Sequence, residues 1–280
     1  MAVLNALLGR VFDVLCLPLR LLPPLAALVL VSAVIAVGML LVIKRTSNQR
    51  AVAATKAKIQ ASIYEIRLFN DDPPAIFRAL FDGLRHNGVY LGLSLVPLAW
   101  MIVPLVLTMT HLNSRFGYQP LSPGDVTMVR AQLADGWRAD FAGVDEGARP
   151  PVSLEPSPAV DVLTPAVWLP SKNEVLWKVA VRQAGSYTLN VKLGETTYTK
   201  SLQTGGGLAK RSAMRPGGVF LDQLLYPSEP PLPKGPLRAI EVGYPDAGAP
   251  LFDMPQWIWI FFVLSIVFAF ALKGPMRVEI

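Results

Sequence analysis

Three uncharged stretches bound what this chain can become. Residues 21–43, 87–110 and 254–272 run for 23, 24 and 19 residues without Asp, Glu, Lys or Arg. A helix that crosses about 30 Å of hydrocarbon at about 1.5 Å per residue needs roughly 20 mostly apolar residues. All three stretches meet that length. Charged residues make up only 16% of the 280-residue chain, against about 25% in ordinary soluble domains, and these stretches account for the deficit. Trp257 and Trp259 open the third stretch, where interfacial anchors are usual. Pro97 and Pro104 fall inside the second and are expected to kink or locally unwind it. The first is read as a retained span: its apolar run outlasts a signal peptide's, and the basic pair Lys44-Arg45 follows it. Leu15 before Cys16 argues against a lipid-modified cysteine.

Charge placement sets an expected orientation. Between the first two spans, residues 44–88 carry eight Lys/Arg and four Asp/Glu. Between the second and third, residues 111–253 carry 14 of each. Loops rich in Lys and Arg stay cytoplasmic. The expected topology therefore puts the N-terminus and residues 113–253 outside, and residues 44–88 and the tail from Lys273 inside. Expected segments are an outer helix over 1–20, spans over 21–43, 89–112 and 254–272, and a tail over 273–280. The location expected is a plasma membrane, the inner membrane of a bacterium. The net charge of +6 follows from this topology, and no basic patch with interleaved aromatics points to nucleic acid.

Outside the spans, hydrophobic spacing assigns elements. Leu4, Leu7, Leu8, Val11 and Leu15 form a helical stripe, which predicts an amphipathic helix on the outer membrane surface; the other reading is an extension of the first span. Val52, Lys56, Ile59, Ile63 and Ile66 recur at spacings of four, three, four and three, the seam of a short coiled coil. That helix is expected to continue from span one without a break and to end near Asn70. Asp72 is placed as an N-cap before Pro73, and Phe77, Leu80, Phe81 and Leu84 form the apolar face of a return helix. Gly88 marks the re-entry. The region 113–253 reads as all-β: alternating runs at 175–181, 186–193 and 197–202, turns at Ala184-Gly185 and Gly194-Glu195, and strands at 126–133, 158–164 and 238–244. Short antiparallel strands in this number suggest an immunoglobulin-like sandwich. A long irregular, partly mobile excursion is expected over 204–236, with Gly205-Gly206-Gly207 as a hinge.

Signs of chemistry are sparse. One cysteine excludes a disulfide framework, and His86 and His111 are too few and too far apart for a zinc centre. There is no phosphate loop and no nucleophile elbow. Asp71-Asp72 is explained by capping, and His111 by an interfacial position. No cofactor and no catalytic or metal-binding residue is expected, and an enzyme is not expected. The fold class is thus a membrane α-helical protein with three transmembrane helices, a cytoplasmic coiled-coil hairpin and an extracytoplasmic β-sandwich inserted between spans two and three.

This order of parts, with span one running into Lys44-Arg45, a hairpin through the stretch Leu41 to Asp72 and two further spans, resembles the three-helix core of the Oxa/YidC membrane-insertase superfamily. The resemblance covers about residues 1–112 and 254–280. It implies a partly hydrophilic groove that lowers the cost of moving polar groups through lipid, roughly 3 kcal/mol for a charge at mid-bilayer. It implies Lys44 and Arg45 at the groove mouth, and Ser32, Ser94, Thr108, Thr110 and Ser265 as its polar lining. Ile59, Ile63, Phe77 and Phe81 would be the hairpin's contacts. The arginine that many members place in the groove has no counterpart in span one. The implied partners are the lipid bilayer and hydrophobic segments of membrane proteins. The alternative is a membrane-anchored scaffold whose outer sandwich binds a protein partner.

Overall fold

The computed structural model describes residues 2–141, 148–248 and 255–278, so Met254 of the third stretch and Glu279 of the tail lie outside the described residues. In chain order the helices are α1 (Ala2–Cys16), α2 (Pro24–Thr46), α3 (Gln49–Leu68), α4 (Pro73–Phe116), α5 (Phe220–Leu225) and α6 (Gln256–Met276). The strands are β1 (Val126–Leu133), β2 (Val152–Leu154), β3 (Val160–Val162), β4 (Val167–Leu169), β5 (Glu174–Val181), β6 (Gly185–Leu193), β7 (Thr196–Thr204), β8 (Met214–Pro216) and β9 (Leu237–Val242). They fall into two compact units: Met1–Leu28 with Leu107–Ile260, and Val29–Val106 with Phe261–Ile280.

Among the described residues, α2, α4 and α6 are the three helices long and apolar enough to cross a membrane, and most of each lies in the helical unit. On α4, Leu95, Leu98, Trp100, Ile102 and Val103 are each more than half exposed, an apolar surface that water does not favour. Two expectations about helix continuity are corrected. The first helix does not run unbroken into the loop. It ends at Thr46, and the Asn48 side chain accepts the Ala51 N–H at 3.2 Å to cap α3; a side-chain cap breaks a helix here without Gly or Pro. Conversely, α4 is not unwound at Pro97 or Pro104: it passes through Gly88 and both prolines as one helix of 44 residues. Each proline removes a single ladder bond, and the turns on either side carry the helix past it. Asp72 caps this helix as expected, accepting from the Ala75 N–H at 3.4 Å.

The hairpin seam is shifted from the expected one. Its buried residues on α3 are Val52, Thr55 and Ser62, with Ile59 and Ile66 half-buried, while Ile63 is exposed. Thr55 and Ser62 are buried because their hydroxyls donate to the carbonyls of Ala51 and Lys58 one turn back. Opposite them α4 presents Ala79 and Gly83, and a Cβ on Gly83 would stand 3.4 Å from that of Ser62. Lys56 lies over the Tyr90 ring at 5.8 Å. The pattern 52, 55, 59, 62, 66 is the three-four alternation of a helical seam, in which small Thr55 and Ser62 alternate with Val52, Ile59 and Ile66. Phe77, Leu80, Phe81 and Leu84 are thus left on the exposed side of α4 rather than against α3.

The β unit holds two antiparallel sheets. The larger runs β3-β5-β1-β9-β8, with β4 also on β5, and the smaller runs β2-β6-β7. Alternate residues of both sheets share one core, including Val129, Ala131, Trp177 and Val179 from the larger and Leu189, Val191 and Leu202 from the smaller. Gly194, at φ 60°, and Glu195 turn β6 into β7. Ala184-Gly185 is not a hairpin turn: β5 and β6 belong to different sheets, so it is a crossover between them. The strands β2, β4 and β8 have three residues each, too short for an alternation to register.

The excursion over 204–236 is anchored. Its Leu208, Arg211, Ser212 and Leu232 are buried. Gly205 and Gly207, both at φ 87°, turn their carbonyls to the Arg211 guanidinium, which also reaches the Tyr118 carbonyl. The glycine run serves this arginine rather than a hinge. Fully buried Lys200 donates to the carbonyls of Ser201 and Ser212 and pairs with Glu229. The second oxygen of Glu229 takes the Ser201 N–H at 2.9 Å. Burial pulls the Lys200 ammonium down to about 8, with Glu229 opposing. Burial alone would raise the Glu229 carboxyl, but Lys200 and the surrounding donors hold it below its ordinary value.

Two outcomes follow from this pair. Glu229→Ala leaves a buried ammonium without its counter-charge and is expected to cost about 3–5 kcal/mol, much of it recovered in Lys200→Met/Glu229→Leu; chemical unfolding of the β unit in detergent measures both. Between pH 8 and 10.5 the folded lysine has lost a proton that the unfolded one keeps. Stability should therefore rise with pH across that window relative to Lys200→Met, which unfolding midpoints at several pH values check.

Candidate functional site

Within the helical unit, Ile35, Met39 and Ile43 of α2, Met101 and Leu105 of α4, and Phe262, Ser265 and Ile266 of α6 line a cleft of about 180 Å³. Its walls are aliphatic, aromatic and thioether surface. Methionines and branched aliphatics on helices tolerate varied apolar occupants, because Met adapts its shape at little cost. The cleft's polar group is the Ser265 hydroxyl, which finds no hydrogen-bond partner among the described residues. A serine in an apolar helix commonly donates to a carbonyl one turn back; here that donor stays available.

Of the expected lining, only Ser265 reaches this cleft. Ser32 is fully buried elsewhere on α2. Ser94 donates to its own helix at Tyr90. Thr108 and Thr110 fall in the other unit, where Thr110 donates to Leu107. Lys44 is exposed and its ammonium donates to the Met276 carbonyl at 2.9 Å, a cation on the C-terminal end of α6, where the helix dipole favours it. Arg45, beside it, is exposed too. The apolar lining is not legible in the sequence, because periodicity alone does not separate a cleft wall from a lipid-facing stripe.

The hairpin presents a second apolar surface. Ile63, Tyr64 and Leu68 of α3 and Phe77, Phe81 and Leu84 of α4 stand exposed, Phe77 and Phe81 by 71% and 70%. Arg67, Arg78 and Arg85 are interleaved with them. Of the expected hairpin contacts, Ile63, Phe77 and Phe81 are on this surface, and Ile59 is half-buried toward the seam.

The β unit carries a polar cluster that sequence reasoning missed. On α1 the buried face is Gly9, Phe12 and Cys16, whereas Leu7 and Val11 of the expected stripe are exposed and the side chain of Leu4 lies outside the described ones. Phe12 stacks on His111 at 5.0 Å between ring centroids. His111 is fully buried, and neither ring nitrogen has a partner among the described residues. Asp13 pairs with buried Arg115, which also donates to the His111 carbonyl at 3.2 Å. Lys210 approaches the same place near Gly9; burial lowers its ammonium and Asp13 opposes the shift. This cluster fastens α1 to the last turns of α4. Its members lie about a hundred residues apart, so no local spacing announces them.

Comparison with protein-family models, curated proteins and solved structures finds no match to this chain. The chemistry of the surfaces is therefore the basis for a functional reading.

Asp13→Asn removes the counter-charge of Arg115. The expected cost is about 1–3 kcal/mol, less than for a fully buried pair because Asp13 is half exposed. Asp13→Glu should recover most of it, and thermal unfolding of both variants in detergent measures the difference.

Proposed function

We propose that this is a multi-pass membrane protein that assists the insertion or assembly of other membrane proteins, an insertase-like member of the Oxa/YidC type. The observation that carries the reading is the exposed hairpin surface of Ile63, Tyr64, Leu68, Phe77, Phe81 and Leu84. A hairpin that only connected two spans would gain by turning such side chains inward or replacing them. Held outward among arginines, they offer an apolar segment a first contact outside the lipid. The cleft beside Ser265 offers the next one: apolar walls for the segment, and one hydroxyl for a polar backbone or side-chain group that would otherwise be unpaired in hydrocarbon.

In this reading residues 44–88 and the tail face the cytoplasm of a bacterial plasma membrane, following the excess of Lys and Arg in the loop. The N-terminal helix lies on the outer surface with Leu7, Val11 and Val14 toward lipid. The β unit is an extracytoplasmic sandwich of the immunoglobulin-like kind, the bilayer and hydrophobic nascent segments are the partners, and no cofactor takes part.

Reconstitution tests it. Proteoliposomes should protect a small single-span test protein from protease at several times the level of empty liposomes. Ile63→Glu/Phe81→Glu, which alters exposed side chains only, should fall to the empty-liposome level with its melting midpoint unchanged. Protection equal to that of empty liposomes for the unaltered protein would overturn the reading.

A further inference from the structure

The β unit closes two of its sheet edges, β7 and β8, with groups from its own loops. Along β7 three successive residues that face away from β6 have an outward group taken: Arg215 donates to the Thr199 carbonyl, Glu229 accepts the Ser201 N–H, and the Tyr244 hydroxyl accepts the Gln203 N–H. Burial pushes that hydroxyl up to about 12, so it stays protonated. On β8, Pro216 has no N–H to offer and its carbonyl takes the Leu232 N–H at 2.8 Å. Proteins close exposed edges in this way because an open one recruits another strand.

The edges at β2 and β3 are different. Gly194 N–H donates to Pro151 and Glu155 N–H to Asn190. These bonds bracket the Ser153–Lys192 pair, so Leu154 turns its amide and carbonyl away from β6. Arg182 N–H donates to Ala159 and Leu163 N–H to Lys178, which likewise turns Val162 away from β5. Neither Leu154 nor Val162 has a backbone partner on that side among the described residues. Both line one cleft of about 470 Å³, with Trp177 in its wall and the Asp161–Arg182 ion pair at its rim. Two open edges from two sheets thus face the same space.

We propose that this cleft binds an extended segment of a partner protein, which adds a strand between β3 and β2. Main-chain donors and acceptors in strand register recognise an extended backbone, and apolar flanks such as Val160 and Val162 select alternate apolar side chains. This goes beyond the proposed insertion role and stands whether or not that role holds.

The test is a phage-displayed library of random decapeptides selected on the full chain in lipid nanodiscs. Enriched peptides should show alternate apolar residues and bind at least tenfold more weakly to Leu154→Pro/Val162→Pro, which deletes the two outward amides while leaving the ladder bonds to β6 and β5. Because a proline pair can unfold a short strand, Ser153→Trp serves as a second variant: its exposed side chain fills the cleft without entering the core, and it should weaken binding as much with an unchanged melting midpoint. No enrichment over empty nanodiscs, or equal binding by the Ser153→Trp protein, would overturn the proposal.

Discussion

An ammonium group without access to water organises the β unit. Lys200 points into the protein from the middle of β7, where water would ordinarily solvate its charge. Isolated, such a charge would cost several kcal/mol. Glu229 and two carbonyls meet it, and in doing so they draw the irregular segment after β7 back across that strand's open side. One carboxylate therefore neutralises a charge, closes a sheet edge and fixes a loop. Removing either member disturbs all three, whereas an apolar pair of similar volume would preserve the packing but leave the Ser201 amide unmet.

The helical unit follows a different rule. Its apolar residues face outward, and its closest contacts are made by small ones. Thr55, Ser62, Ala79 and Gly83 bring α3 and α4 together, while Phe77 and Phe81 remain outside. Close approach through small side chains is how helices pack where apolar burial gives no drive, as in lipid. Here the pattern extends into the hairpin, where it leaves the larger side chains free to contact something else.

What was legible in the sequence divides along range of interaction. The three helices long and apolar enough to span a membrane, the Asp72 cap, the Gly194-Glu195 turn and the long strands depend on residues a few positions apart, and periodicity reveals those. The hairpin was found but its seam was misassigned, because counting only apolar residues selects Ile63 over Ser62, whose hydroxyl is satisfied within its own helix. The Ala184-Gly185 step has the composition of a hairpin turn, yet which sheet a strand joins is decided by distant partners. At the candidate site, Ser265 stands out in the sequence as a hydroxyl in an apolar run, while the apolar residues that surround it in the cleft do not. The Asp13–Arg115 pair and the stacking of Phe12 on His111 unite distant segments that no spacing rule connects.

The small-residue seam has a consequence for the hairpin's motions. Apolar burial contributes about 25 cal/mol per Å², and beside Val52, Ile59 and Ile66 the seam consists of Ala, Gly, Ser and Thr, which offer little area. The seam is thus geometrically tight but weakly held. Its free energy of opening belongs at the low end of the molecule's range, well below that of the β core, and its amides should exchange with solvent by frequent local opening rather than by global unfolding. Beyond Val52, Ile59 and Ile66, separation exposes few large apolar groups that were not already exposed, so the opened hairpin gains little new tendency to aggregate. Such an element can part and reclose many times during the lifetime of the folded protein.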